Sequence, residues 1–246
     1  MNSRKELIFL DRTLRIPWFD RERMKETSVT VVGAGNIGSQ LLLALYGLGL
    51  KRIVIIDHDV VELSNVQRQV VYSERDVGRP KVHAAVDFLR SRFSDLSTEL
   101  RGEVHDARYM QFPESDYVFC CVDNDEARKA ILEHCLENGI LLFDMGLEFH
   151  ESQAGYVLAV DRELFPDGAC VNCYMELDGT GYGRGGCIAA GITYSGGIVA
   201  NIAAGMFVQH VHGRLRMNHF YFDMNSCVAE FMHLKRRASC GVCGDD

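Results

Sequence analysis

The chain has 246 residues, 47% of them hydrophobic, with a formal charge of −8, enough to bury a full core within one large domain. The acidic balance argues against a phosphodiester backbone as partner, because surfaces that bind nucleic acid carry a net basic face. No apolar run reaches the roughly 20 residues of a membrane span and the opening MNSRKELIFLDRTLR lacks the apolar stretch of a secretion signal, so a cytoplasmic protein with no membrane partner is expected.

Residues 1 to 28 scatter Arg4, Lys5, Arg12, Arg15, Arg21 and Arg23 among Leu7, Ile8, Leu10, Leu14 and Ile16, the pattern of a helical arm ahead of the first core strand. Residues 29 to 57, VTVVGAGNIGSQLLLALYGLGLKRIVIID, then read as a strand, a glycine-rich turn, a helix, a second strand and a terminal carboxylate. Val29 to Val32 are β-branched throughout, which suits a strand buried on both faces. Gly33, Gly35 and Gly38 have GxGxxG spacing. The first permits the turn off the strand, the second lets a phosphate approach the backbone, and the third lets the helix pack close to the sheet. Asp57, nineteen residues past Gly38, sits near the offset of a carboxylate that holds ribose hydroxyls. The unit predicts a nucleotide without saying which one.

Residues 58 to 80 have no clean period and are expected to form a loop with short helical turns over the C-terminal end of the sheet, where doubly wound folds bind ligands. A helix over 81 to 93, a strand over 98 to 104 and a strand over 116 to 124 ending in Asp123 and Asn124 follow. Asp123 is either a ligand-facing carboxylate or the N-cap of the next helix, 126 to 139, which Gly139 closes. ILLFDMG returns to the sheet, completing a doubly wound α/β pattern. From 153 the character changes: QAGYVLAV leaves the parallel layer, and a glycine-rich stretch, 177 to 186, leads to Cys187. A small-residue helix over 190 to 212, interrupted at Ser195, Gly196 and Gly197, is suited to close approach to the core or to a second subunit. Two short strands, 219 to 225 and 228 to 234, precede the tail. The fold expected is a Rossmann-like, mostly parallel sheet with a C-terminal antiparallel extension.

Nine cysteines, an odd number without a secretion signal, read as thiols or metal ligands rather than as a disulfide framework. Cys170 and Cys173 form one CxxC knuckle and Cys240 and Cys243 another, 66 residues apart. Four thiolates in this arrangement close a tetrahedral Zn²⁺ site with no open position, so the metal is structural; independent redox dithiols are the competing reading. Cys120, Cys121, Cys135 and Cys227 are expected on core elements and inert.

DHDVVELSNVQRQ (57 to 69), GRPK (78 to 81), CVDN (121 to 124) and the paired CxxC, together with GAGNIG, resemble the MoeB/ThiF adenylyltransferases, bacterial relatives of the ubiquitin-activating enzymes. The resemblance covers nearly the whole chain and implies one adenylation domain over 1 to 246. Within it, 1 to 28 is the arm, 29 to 150 the nucleotide-binding half, and 151 to 246 the carrier-protein-binding half with its zinc knuckles. The implied reaction joins ATP, with Mg²⁺, to the C-terminal glycine carboxylate of a ubiquitin-like or sulfur-carrier protein ending in Gly-Gly, giving an acyl adenylate and pyrophosphate. A homodimer and a separate sulfur donor are implied with it. Arg68 and Lys81 would supply positive charge to the phosphates, Arg68 as a fork and Lys81 as a mobile point charge. Asp57 would hold the ribose, Asp123 would take Mg²⁺, and Asp59, Asn65 and Asn124 would order the loops and touch the nucleotide. Arg12 would reach the γ-phosphate of a neighbouring subunit, with Arg15 as rival, and Cys187 would form a thioester or acyl-disulfide with the activated carrier.

Two other readings use the same residues. A nicotinamide-dependent oxidoreductase shares the βαβ unit but has no role for SNVQRQ or GRPK. A non-catalytic scaffold partner of an activating enzyme would have lost the nucleotide residues, whereas Asp57, Arg68, Lys81 and Asp123 are all present.

Overall fold

The computed structural model describes residues 3–148, 153–175, 177 and 192–243. Its centre is one eight-stranded sheet. In chain order the strands are β1 (Ser28–Val32), β2 (Arg52–Ile56), β3 (Glu99–Glu103), β4 (Tyr117–Cys120), β5 (Leu141–Glu148), β6 (Ala154–Val160), β7 (His219–Asp223) and β8 (Val228–Met232). They lie side by side as β3-β2-β1-β4-β5-β6-β7-β8. The first five are parallel, and β6, β7 and β8 join antiparallel. The order reverses between β1 and β4, so the loops leaving those two strands diverge and open a crevice at their C-terminal ends.

All five residues of β1 and all seven of β6 are buried, because the sheet is covered on both faces. On one face α4 (Asn36–Tyr46), α5 (Lys81–Arg92) and α8 (Thr193–Val211) bury Leu41, Leu42, Leu45, Val82, Leu89 and Phe207 against Val31, Ile55 and Phe143. On the other face α6 (Asp125–Asn138) and α7 (Val171–Met175) bring Ile131, Leu132 and Val171 against Val54, Val118 and Leu158. This two-sided burial explains why the strands read as continuous apolar runs rather than as alternating ones. Gly139 ends α6 in the left-handed conformation at φ 63°, with its N–H on Cys135 O.

The arm is three short helices, α1 (Ser3–Phe9), α2 (Asp11–Leu14) and α3 (Arg21–Glu26). It is fastened by the largely buried Glu6–Arg21 ion pair at 2.8 Å and by Phe9 stacked on Phe93 at 4.4 Å. Two further expectations are corrected. α8 runs unbroken through Ser195, Gly196 and Gly197. Those glycines are where α4 presses closest: a Cβ on Gly196 would lie 2.5 Å from Asn36 Oδ1, and one on Gly197 2.8 Å from Gln40 Oε1. Cys227 is no core thiol but an exposed hairpin residue at φ 56°. Among the described residues no helix is long and apolar enough to cross a membrane. Cys187 and most of the glycine-rich stretch before it lie outside the described residues.

Candidate active site and metal centre

The glycine turn after β1 is built by close contact. Gly33 has φ 91°, and a Cβ there would sit 2.6 Å from Cys121 O in the loop leaving β4. A Cβ on Gly38 would fall 1.9 Å from Gly33 O, so α4 starts hard against its own turn. Gly35 differs from both: the nearest atom to its Cβ would be Gln69 Nε2 at 3.9 Å, leaving space above the backbone. Gly33 and Gly38 are thus enclosed by neighbouring backbone, while the space above Gly35 is open.

Asp57, at the end of β2, accepts the N–H of Ala34 at 2.7 Å on one oxygen and that of Asp59 at 2.8 Å on the other. Burial raises its pKa, opposed by Lys81 and by those two N–H donors. A second lone pair on each oxygen remains for a diol. Lys81, the first residue of α5, is 3% exposed and donates to Asp59 Oδ2 at 2.7 Å. It is therefore a held cation and not the mobile one expected from the sequence. Between these elements the 57–80 loop folds through two 3₁₀ turns, Leu63–Asn65 and Glu74–Asp76. Asn65 is buried and its Oδ1 accepts Glu62 N at 3.0 Å, so it orders the loop. Arg68 is half-buried and its guanidinium donates to Ser64 O at 2.7 Å, which aims the fork from within its own turn.

Across the crevice, β4 ends and the CVDN turn begins. Asn124 Oδ1 accepts Ala127 N at 2.8 Å, so Asn124, and not Asp123, is the N-cap of α6. Asn124 is thereby occupied in holding its own helix. Asp123 is exposed and among the described residues makes no side-chain hydrogen bond or ion pair. A single carboxylate of this kind suits Mg²⁺, which completes its shell with phosphate oxygens and water. Arg12 and Arg15 lie on and beside α2, well exposed at 85% and 63%. Arg15 is tied to Asp11 at 2.8 Å, Arg12 only loosely at 3.8 Å.

Sequence reasoning missed two residues that shape the site. Tyr72 is buried and its hydroxyl donates to Ala34 O at 2.9 Å, bracing the glycine turn from behind. Gln69, 1% exposed, brings its Nε2 to 3.9 Å from where a Gly35 Cβ would sit, and its buried Oε1 has no partner among the described residues. Gln69 belongs to the SNVQRQ string, so the motif contained the signal even though the individual role did not show.

The four predicted knuckle cysteines meet. Sγ distances are 3.9 Å for Cys170–Cys173, 3.7 Å for Cys170–Cys240 and 3.3 Å for Cys173–Cys243, and all four ligand atoms lie within 4.8 Å of one another. A tetrahedron of sulfurs about 2.3 Å from a zinc ion has edges of about 3.8 Å, whereas a disulfide requires about 2.05 Å. The donor set and its spacing fit Zn²⁺. Burial opposes ionisation of Cys240, but Asn172 and the Val242 and Cys243 N–H groups outweigh it and bring the thiol down to about 6. The knuckles are also joined by backbone: Ala169 N donates to Leu234 O at 2.9 Å and Arg236 N to Asp167 O at 2.8 Å.

Comparison with known proteins accords with this geometry. The E. coli K12 molybdopterin-synthase adenylyltransferase is 28% identical over 255 aligned positions covering 98% of both chains. The SAMP-activating enzyme E1 of Haloferax volcanii is 35% identical over 157 positions, which are 61% of this chain and about half (54%) of that enzyme. Among solved structures, E. coli MccB in complex with MccA-N7isoASN superposes with a TM-score of 0.76 at 20% identity, covering 92% of this chain and 69% of that one, and speaks for the fold alone. The ThiF family pattern matches residues 10–242, and the chain belongs to the ThiF family.

Proposed function

We propose that this protein adenylates the C-terminal glycine carboxylate of a ubiquitin-like or sulfur-carrier protein, using ATP with Mg²⁺. The observation that carries the reading is the convergence, at the switch point of the sheet, of an open glycine turn, a diol-competent Asp57, the cations Arg68 and Lys81, and an exposed Asp123 with no side-chain partner among the described residues. The names of the relatives agree with it.

The chemistry follows from charge. A carrier carboxylate oxygen attacks the α-phosphorus, forming the acyl–phosphate bond while the α–β phosphoanhydride bond breaks and pyrophosphate leaves. The nucleophile is already an anion, so no general base is needed; the barrier is the approach of one anion to another and the departure of a third. Arg68 and Lys81 act on that barrier by offsetting the phosphate charge from positions already oriented by their own hydrogen bonds. Gly35 lets the phosphates reach the N-terminal N–H groups of α4. Asp57 fixes the ribose. Mg²⁺, held by Asp123, would neutralise phosphate oxygens and favour release of pyrophosphate. On this reading residues 151–246 receive the carrier, and Zn²⁺ in the cysteine cluster fixes the tail to the middle of the chain. In a homodimer the loosely tethered Arg12 is better placed than Arg15 to reach a neighbouring site. Transfer of the activated acyl group to Cys187 would be a separate, later step.

The test is carrier-dependent exchange of labelled pyrophosphate into ATP, with a ubiquitin-fold protein ending in Gly-Gly. Exchange that vanishes when the last glycine is deleted supports the reading. Tight NAD binding with no ATP binding would replace it with the oxidoreductase, and a folded protein that binds neither would replace it with the scaffold.

A further inference from the structure

Behind Asp123 lies a buried charged group that the proposed chemistry does not use. Arg128 on α6 is 5% exposed and Asp144 on β5 is fully buried. One terminal nitrogen of Arg128 donates to Asp144 Oδ1, to Tyr156 Oη at 3.1 Å and to Met145 O at 3.3 Å. The other donates to Val122 O at 2.6 Å. Tyr156 in turn donates to Asp144 Oδ2 at 2.7 Å and touches Met175 Sδ at 2.9 Å, so the far end of the group is anchored in β6 and α7.

Burying such a pair is expensive, and apolar residues of like volume often do as well or better for stability. Here the guanidinium is not even saturated, since Arg128 Nε is buried without a partner among the described residues. Its geometry has a different consequence. Val122 immediately precedes Asp123, and its carbonyl is held by the Arg128 guanidinium, while the Arg128 backbone N–H reaches Asn124 O at 3.2 Å in the first turn of α6. Cys121 N is fixed on Val32 O at 2.8 Å and Asn124 on Ala127 N at 2.8 Å. The turn is therefore pinned before, beside and after Asp123, whose own side chain is left exposed. With the Val122 carbonyl released, the peptide between Val122 and Asp123 is free to rotate, and the carboxylate moves with it.

We propose that Arg128 is a positioning residue for Asp123: through Val122 O it fixes the carboxylate that faces the metal–nucleotide, with Asp144 and Tyr156 fixing Arg128 in turn. The proposal rests on the reading of Asp123 as the Mg²⁺-facing group. A positioning effect of this kind is expected to weaken metal-dependent binding while leaving the rest of the nucleotide contacts alone.

The experiment is calorimetric titration of the full chain with MgATP and, separately, with ATP in chelator. The variant is Arg128→Met/Asp144→Asn, which removes both buried charges together, with Arg128→Lys as the second variant because it keeps the pair but cannot reach both Asp144 and Val122 O. Urea unfolding verifies the fold of each. Expected is a tenfold or greater weakening for MgATP with metal-free ATP unchanged. Adding Asp123→Ala then produces no further loss, while adding Arg68→Ala produces its full separate loss. Folded variants that bind MgATP as the parent does, or that lose both forms of the nucleotide equally, overturn the proposal. Asp123→Ala alone distinguishes the two levels: if it leaves MgATP affinity unchanged, the reading of Asp123 itself fails, whereas if it weakens MgATP and the Arg128 variants do not, only the positioning role fails.

Discussion

Lys81 donates its ammonium to Asp59 at 2.7 Å from a position only 3% exposed, while Asp59, at 42%, still faces solvent. The cation is thus packed from behind and held against Asp59, with Asp57 also within its field. On the proposed reading, a phosphate entering the site would compete with Asp59 for a charge that is already oriented, so little ordering would remain to be done on binding.

Lys81→Met keeps the stem's volume and removes the charge. Asp59 can rehydrate but the half-buried Asp57 loses an opposing charge, so stability should fall by about 1 kcal/mol or more, and exchange is compared per folded protein. Pyrophosphate exchange should fall about ten- to hundred-fold, the worth of one hydrogen bond to a charged group. Lys81→Arg should not restore it, since a planar fork overfills a pocket shaped around an ammonium stem. Full exchange in Lys81→Met would remove Lys81 from the site.

The glycine turn predicts opposite phenotypes for neighbouring positions. Gly38→Ala puts a methyl 1.9 Å from a backbone oxygen and should destabilise the fold by about 3 kcal/mol or more. Gly35→Ala meets nothing closer than 3.9 Å, so its melting temperature should hold while ATP affinity drops at least tenfold. Thermal melts and ATP titration of the two variants test this, and a Gly35→Ala protein that binds ATP normally would show that the phosphates take another path.

For the cysteine cluster, protein purified without chelator should contain close to one zinc per chain by elemental analysis. Cys240→Ser should lower the unfolding midpoint strongly, because the metal's binding energy is folding energy. In whatever folded fraction survives, nucleotide affinity should be near that of the parent. Iron in place of zinc, or no metal at all, would return the cluster to the redox reading.

His219 supplies a pH test. It is 2% exposed, sits against Tyr174 and Tyr156, and neither ring nitrogen has a partner among the described residues. Burial lowers its pKa from 6.5 to about 4. The unfolded chain therefore binds the extra proton first, so stability is complete above about 6.5 and declines as pH falls toward about 4. The slope from this group is at most about 1.4 kcal/mol per pH unit. His219→Phe should flatten that part of the urea-midpoint profile and, by removing two unpaired nitrogens, raise stability at neutral pH. An unchanged acid limb would show that other groups dominate it.

What the sequence determined by itself is what nearest neighbours in the chain decide. A β-branched run makes Ser28–Val32 a strand, glycine alone tolerates the turn at Gly33, and a helix closes at Gly139 because the left-handed position needs it. The two-residue spacing within each cysteine pair likewise makes a knuckle in any context. What only the tertiary structure decided are relations between residues far apart in sequence. Four sulfurs meet across 70 residues because Gly168 bridges to Lys235 and Ala169 N donates to Leu234 O, which bring the two loops side by side. Lys81 is held and not mobile because Asp59 lies 22 residues before it. Asn124 takes the cap for which Asp123 was the candidate in the sequence, and Val122, on the other side of Asp123, gives its carbonyl to Arg128. Arg128 and Asp144 look like ordinary members of a helix and a strand until the sheet closes over them. Burial is a property of the assembled layers, and no local pattern of residue types encodes which charges will end up inside.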